Sequence, residues 1–418
     1  MTYFWEILSF VGRNMVYMFT NTQFLLITAV VFFLVHGQYK KIHFREKRMF
    51  GFARGNPLLD TIESFGYGLI GGFLATFLFF LLGVSLTEAG ILYLWLGAIL
   101  LMLIHPRFLC FSYSGGILSV SSIIFGFPKI DVVAVMALVS ILHLVEASLI
   151  WIHGEKKASP VYLKHKSGRI VGGFMMQKFW PLPFIALAYT VASLSMVEEG
   201  IMMPNWWPIV KPEVVIPEGM GLVYFLIPVM AALGYSDFSV TMQPQEKCNQ
   251  TALHLGLFSI LLLGLALLAD RFNSLAILPA LFAPLGHEFV IYLGNKREAK
   301  EEPIYVSNQS GVMILDVFPN SPADKMGLRS GDIIKSVNGV EVYNSRDFLF
   351  QMTPWLIDPV LEVENQLEGT KRHAVSFRGK VPPIGIIPVP EYNRGAYIQI
   401  KEGRLISWIK NIFRRKKR

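Results

Sequence analysis

The stretch GVMILDVFPNSPADKMGLRSGDIIKSVNGVEV, residues 311–342, decides the fold of the last part of the chain. Residues 312–317 are rich in β-branched and long apolar side chains, which predicts a largely buried strand. Ser321 followed by Pro322 predicts the N-cap and first turn of a short helix, which ends at Gly327. A strand and a short helix therefore open this unit.

The residues that follow continue the same small fold. Residues 333–337 predict a second strand, and Asn338-Gly339 is a strong signal for a tight hairpin. The remaining predicted elements are a returning strand at 340–342, a helix at 346–352 capped by Ser345, and strands at 360–364 and 373–377.

This order of SPA, GL, GDII, VNG and a helix containing Asp347-Phe348 resembles the bacterial PDZ domain over residues 305–390. The resemblance implies a groove between a strand and a helix, into which a peptide or chain terminus adds as an extra strand. It also implies a glycine-containing loop that takes the ligand carboxylate, and residues 383–387 are the candidate. The expected groove residues are Ile384, Gly385, Ile386, Ile387, Arg346, Phe348, Leu349 and Met352. Alternatively, Gly385 is a turn glycine and Ile386 a core residue.

The composition excludes a soluble protein. Of the 418 residues 53% are hydrophobic and 16% charged, and the mean hydropathy is +0.46. The net charge of +8 comes from short basic loops and a basic tail, which favours contact with anionic lipids rather than nucleic acid. Cys110 and Cys248 are far apart in sequence, so neither a disulfide nor a metal cluster is expected.

The chain before residue 298 reads as a membrane domain. After a predicted interfacial helix in the first twenty residues, nine apolar runs are candidate spans: 22–36, 64–84, 90–104, 108–127, 132–152, 181–196, 221–235, 252–268 and 274–293. The predicted fold class is thus a polytopic α-helical bundle of about eight or nine spans (1–298), a cytoplasmic α+β PDZ domain (303–390) and a basic amphipathic tail (391–418). The N-terminus is expected outside.

Two features of these spans depend on small and basic residues. Gly66, Gly68, Gly71 and Gly72 would let another helix approach closely. Residues 108–127 are less hydrophobic and suit either a buried span or a re-entrant segment. The basic loop at 156–178 is expected in the cytoplasm, and that holds only if 108–127 crosses the membrane.

A membrane bundle with a PDZ domain also suggests an intramembrane zinc protease. That chemistry needs two histidines one helical turn apart with a glutamate between them. His287-Glu288 is the near match, but Ile291 occupies the place of the second histidine. We therefore interpret His287 and Glu288 as a polar pair in the bundle interior, either for packing or for sensing a lipid or partner helix.

The last residues predict a surface helix. Leu405, Trp408, Ile409, Ile412 and Phe413 share one helical face, and the basic residues beside them include Arg404, Lys410, Arg414 and Arg415. This pattern is typical of an amphipathic helix on an anionic inner leaflet, the alternative being a frayed solvated tail.

The chain as a whole resembles the MinJ family of cell-division topological determinants of Bacillota. The resemblance rests on Ser159-Pro160, the run QKFWPLP at 177–183, PLGHE at 284–288 and the terminal PDZ domain. It implies a non-enzymatic scaffold in division-site selection, with no cofactor or metal, enriched in the membrane at septa and poles. Its implied partners are DivIVA, MinD with MinC, and divisome proteins; self-association stays open. The alternatives are a site-2-type zinc protease and a PDZ-bearing membrane sensor or transporter.

Overall fold

The computed structural model describes the chain from residue 2 to residue 398, apart from residues 52, 88, 194–202, 213, 308–309, 354–355, 366–369, 381–382, 392–396. The predicted tail helix, with Arg404, Lys410, Arg414 and Arg415, lies outside these described residues.

Eight α-helices make up most of the described residues before residue 301. They are α1 (Thr2–Met18), α2 (Thr22–Phe50), α3 (Pro57–Leu82), α4 (Ile91–Ile104), α5 (Phe111–Phe125), α6 (Val132–His153), α7 (Pro244–Arg271) and α8 (Ile277–Lys300). Within the described part of the chain, α2, α3, α6, α7 and α8 are long and apolar enough to cross a membrane. Helices α4 and α5 have 14 and 15 residues. Each is therefore about 22 Å long, shorter than a hydrocarbon core of about 30 Å.

Capping residues set both ends of helix α2. Asn21 caps α2 by accepting from the N–H of Phe24, and Gly51 ends it in a left-handed conformation. Helix α2 therefore continues through most of the basic stretch at 40–54.

Two predicted spanning helices are instead the strands of a long hairpin. Strands β1 (Ser159–Lys164), β2 (Ile170–Ser193) and β3 (Met220–Ser239) form an antiparallel sheet in that order. The prediction of helices at 181–196 and 221–235 is wrong, because a short apolar run has the same composition in a buried strand and in a buried helix. The described residues hold seven apolar helices rather than eight or nine.

Gly68 and Gly72 of α3 receive a strand and not a helix. A Cβ atom at Gly68 would lie 1.8 Å from the carbonyl oxygen of Pro181, and one at Gly72 would lie 1.9 Å from that of Pro183. The close approach expected from these small residues is real, but its partner is β2.

Two backbone groups on the edge of β2 that faces α3 are hydrogen-bonded to side chains of that helix. Ser64 Oγ donates to the carbonyl of Phe179 at 2.7 Å, and Thr76 Oγ accepts from the N–H of Ile185 at 2.9 Å. Two alternate positions between them, 181 and 183, are prolines, which have no N–H to satisfy. A strand edge beside a membrane helix would otherwise carry costly unpaired groups.

The C-terminal part confirms the predicted PDZ elements. It contains β4 (Val312–Val317), α9 (Pro322–Lys325), β5 (Asp332–Val337), β6 (Val340–Glu341), α10 (Ser345–Gln351), β7 (Val360–Asn365), β8 (Thr370–Ser376) and β9 (Ile386–Pro388). The strand order is β8-β7-β5-β4-β9, with β6 paired to β5. The predicted cap of α10 differs by one residue: Asn344, not Ser345, accepts from the N–H groups of Arg346 and Asp347.

The two faces of the PDZ sheet pack differently. Val312 and Ile314 belong to the domain's own core, whereas Met313 and Leu315 belong to the cluster that also contains buried residues of the membrane helices and the hairpin. The N–H of Gly172 on β2 donates to the carbonyl of Tyr305, which precedes β4 in the domain, at 2.9 Å. The domain is thus docked against β1 and β2.

Candidate peptide-binding groove

Strand β9 forms one end of the PDZ sheet and pairs with β4 along one side. The N–H of Val389 donates to the carbonyl of Met313 at 2.9 Å, and the carbonyl of Gly385 accepts from Phe318 at 2.8 Å. Neighbouring residues of a strand direct their N–H and C=O groups to opposite sides. Ile386 and Pro388 therefore direct theirs away from β4, toward the outer edge.

This outer edge offers few backbone groups to a ligand. Ile386 presents both an N–H and a C=O, but Pro388 has no N–H. The Pro388 carbonyl accepts from the hydroxyl of Tyr162 on β1 at 2.8 Å. Burial, with a smaller effect of the Glu391 carboxylate, raises the pKa of Tyr162 to about 12, so this hydroxyl stays a donor at neutral pH. Strand addition at β9 is consequently limited to the neighbourhood of Ile386.

Gly385 has a structural requirement of its own. Its φ angle is +86°, and a Cβ atom would lie 2.3 Å from Cβ of Ser321. The carbonyl of the preceding Ile384 accepts from the N–H of Ala323 at 2.9 Å. The chain turns sharply here, at the start of β9, where the resemblance places the carboxylate loop, and this backbone conformation requires a glycine.

Helix α10 forms the opposite wall. The backbone N–H and Oγ of Ser345 donate to Oε1 of Glu391, just after β9, at 2.6 and 2.7 Å. Leu349 follows Ser345 by four residues, about 40° around the helix, so it lies on the same face. It is 70% exposed, whereas Phe348 is 3% exposed and lies in the domain core. This exposure leaves Leu349 available to a ligand.

The other expected groove residues divide into three groups. Ile384, Ile386 and Met352 are half-buried and pack on the domain core beside this wall. Ile387 is buried in the cluster on the opposite face of the sheet, so its side chain does not line the groove. Arg346 is exposed and lies about 100° around the helix from Ser345.

The predicted polar pair also has a different arrangement from the one expected. His287 and Glu288 are linked through Tyr113 on α5: its hydroxyl donates to Glu288 Oε2 at 2.8 Å and lies 3.3 Å from His287 Nδ1. Arg107 binds the other carboxylate oxygen of Glu288 at 3.0 Å. Glu288 is thus held by an arginine and a tyrosine.

On the other side of His287 lies a cluster that sequence reasoning missed. Cys110 Sγ is 3.0 Å from Nε2 of His143 and 3.8 Å from Nε2 of His287. The geometry departs from the expectation that neither cysteine joins a group of possible metal ligands. The three residues are far apart in sequence and follow no ligand spacing, so the separate histidines at 143 and 287 were the available signal.

The fold and the groove together define a membrane protein that carries a PDZ domain docked on a sheet of its membrane region. The PDZ domain family model matches residues 313–349. The chain is similar to the cell division topological determinant MinJ of Bacillus subtilis (strain 168), with 25% identity over 220 residues, 51% of each chain. Serine protease HTRA1 of Xenopus tropicalis is 35% identical over 97 residues, 23% of this chain and 18% of that protein. The match spans about half the length of MinJ and less of HTRA1.

Proposed function

We propose that this protein is a non-enzymatic membrane scaffold in division-site selection, and that its PDZ groove captures the C-terminus of a partner chain. The observation that carries the proposal is the outward edge of β9 beside the exposed Leu349 of α10. The similarity to MinJ supports the cellular role.

The groove favours a short apolar terminus with a free carboxylate. Ile384, Ile386, Leu349 and Met352 offer apolar contacts, and the resemblance to PDZ domains puts the terminal carboxylate at the sharp turn of Gly385. Because Pro388 has no N–H, an internal peptide strand would gain few additional hydrogen bonds. The ligand class is therefore a chain end.

The arrangement of the helix ends supports a cytoplasmic PDZ domain. Arg54, which follows α2, lies 2.5 Å from Asp316 of β4, so the basic end of α2 is on the side of the domain. Basic residues near spans favour the cytoplasm.

Helices α4 and α5 form a re-entrant pair in this proposal, and the β2–β3 hairpin accounts for the remaining two apolar runs. The proposed divisions stay at 1–298, 303–390 and 391–418, although Ile398 pairs with Leu163 of β1.

The proposed partners come from the resemblance. They are DivIVA, MinD and divisome proteins, reached from the membrane at septa and poles. Anionic lipids are the proposed contact of the basic tail that contains Arg404, Lys410, Arg414 and Arg415, because each basic residue near such a leaflet contributes about 1 kcal/mol.

A protease function is not favoured by the geometry. Ile291 cannot ligate a metal, and the Glu288 carboxylate is occupied by Tyr113 and Arg107. The similarity to HTRA1 is shorter than a quarter of the chain.

The binding test uses the purified full chain in detergent and fluorescent peptides with varied apolar C-terminal residues. We expect binding of the free acid and a loss of about tenfold or more for the same peptide as its amide, since the amide lacks the charge. Leu349→Asp should remove binding. Phe350→Asp is the matched control, because Phe350 is 79% exposed on the same helix but about 140° from Ser345. Equal binding of acid and amide, or equal effects of the two variants, would remove the groove assignment.

The cellular test is imaging of a fluorescent fusion in the native host, with a deletion strain scored for cell length and minicells. We expect enrichment at septa and poles and misplaced septa in the deletion. A uniform membrane signal with normal division would refute the division role.

A further inference from the structure

We propose that Cys110, His143 and His287 form a binding site for a divalent transition-metal ion such as Zn²⁺ inside the membrane bundle. One ligand atom from each residue lies within 4.8 Å of the others. The three residues come from the turn before α5, from the middle of α6 and from the middle of α8.

The hydrogen bonds of His143 show which of its two ring nitrogens carries no proton. Its Nδ1 lies 2.7 Å from the carbonyl oxygen of Val139, and a carbonyl can only accept. Nδ1 therefore carries the proton, and Nε2 presents a lone pair to Cys110 Sγ. A ring N–H donated to a backbone carbonyl is also the usual support of a metal-binding histidine.

The same argument applies to His287 through a longer chain of contacts. The Tyr113 hydroxyl donates a hydrogen bond to Glu288 Oε2, and Arg107 binds the other carboxylate oxygen. The Tyr113 oxygen must then accept from His287 Nδ1–H, so His287 Nε2 also carries no proton. Two nitrogen lone pairs and a sulfur thus converge with only the protons of the Cys110 thiol and the Ser112 hydroxyl to share among them. A bound cation removes the repulsion between these lone pairs.

The geometry and the ligand types fit zinc. Tetrahedral Zn²⁺ with bonds of about 2.3 Å to sulfur and about 2.0 Å to nitrogen places sulfur and nitrogen about 3.5 Å apart. The two separations from Cys110 Sγ, 3.0 and 3.8 Å, bracket that value. The N–H of Ser112 donates to Cys110 Sγ at 3.4 Å at the start of α5, which orients the sulfur. Ser112 Oγ, 3.3 Å from His143 Nε2, marks the side where a water can complete the coordination.

Such an ion would fasten the turn between α4 and α5 to α6 and α8. This turn joins two helices that are each too short to cross a bilayer. The ion supplies a fixed point there. The Glu288 carboxylate points to Tyr113 and Arg107, so the assignment is a structural ion with no hydrolytic role.

The test is the metal content of the full chain, purified in detergent without a histidine tag and dialysed against a weak chelator. We expect about one zinc ion per chain by mass spectrometry. The ion should be lost in Cys110→Ala and His287→Ala and retained in Cys248→Ala and His254→Ala, which change the other cysteine and a histidine of α7. Stoichiometric copper or iron with the same pattern would equally support the site.

A second measurement covers variants that fail to fold. Wild-type protein stripped of metal and loaded with Co²⁺ should show a thiolate-to-cobalt charge-transfer band and tetrahedral d–d bands. A folded wild-type chain without stoichiometric metal and without these bands would overturn the proposal, leaving an extra proton as the cation of the cluster. Metal that persists unchanged in folded Cys110→Ala would overturn it as well.

Discussion

We predict that the docking of the PDZ domain depends on pH through Asp316. Its carboxylate lies 2.5 Å from Arg54, which follows α2, and its side chain is 15% exposed. Burial raises the pKa of Asp316 from its ordinary value of 3.8 to about 6; Arg54 opposes this rise, and Glu46 adds to it slightly. The docked state therefore disfavours the ionised carboxylate even beside its arginine.

The raised pKa of Asp316 determines whether docking strengthens or weakens as the pH falls. A carboxyl whose pKa is higher in the docked state binds its proton more tightly there, so docking strengthens as pH falls through about 6 and the gain is complete below the ordinary pKa. Between about pH 7 and about pH 5 the gain is about 1.3 kcal/mol, or about tenfold in the equilibrium. With Asp316→Asn this pH dependence should disappear.

The assay is hydrogen exchange of amides that bridge the interface. The N–H of Gly172 donates to the carbonyl of Tyr305, and that of Ile398 to the carbonyl of Tyr162. After correction for intrinsic exchange, their protection should be about tenfold higher at about pH 5 than at about pH 7 in the wild type and equal in the variant. A flat wild-type profile, or the same slope in Asp316→Asn, would refute the reasoning.

Three further substitutions test the hairpin and the groove strand. Gly68→Ala should prevent close packing of β2 and lower the yield of folded protein, whereas Gly66→Ala, where a Cβ has open space, should fold normally; equal yields would contradict the assigned packing. Thr76→Val should lower stability in detergent by about 1–3 kcal/mol by removing the acceptor of a β2 amide, and an unchanged melting temperature would argue against it. Tyr162→Phe should free the carbonyl of Pro388 and strengthen binding of peptides long enough to reach it by about 2–10-fold, with no gain for shorter ones in the same titration.

The sequence predicted the PDZ domain in detail because its signals are local. The N-cap at Ser321, the hairpin at Asn338-Gly339 and the apolar run at 312–317 each act within a few residues, and the structure confirms all three. The one-residue error at Asn344 is of the same local kind, since Asn and Ser are both good caps.

The hairpin could not be predicted from its apolar composition alone. Residues 181–196 have the hydropathy of a span, but Pro181 and Pro183 were a usable signal: prolines two apart suit an unpaired strand edge and break a helix interior. The glycines of α3 indicated a close neighbour without indicating whether it was a helix or a strand. The Cys110 cluster was out of reach because three distant segments supply its members.

The docked position of the PDZ domain explains why a weak groove can serve a scaffold. Tyr162 and Pro388 together close most of the outer edge of β9, so a ligand has backbone contacts near Ile386 and the rest must come from apolar packing and one carboxylate. Each hydrogen bond contributes about 1 kcal/mol, which is too little for tight binding in solution. A partner held on the same membrane meets the groove at a much higher effective concentration than a free one. Selectivity for chain ends combined with confinement to the membrane would then let the protein gather partners reversibly where the membrane already concentrates them.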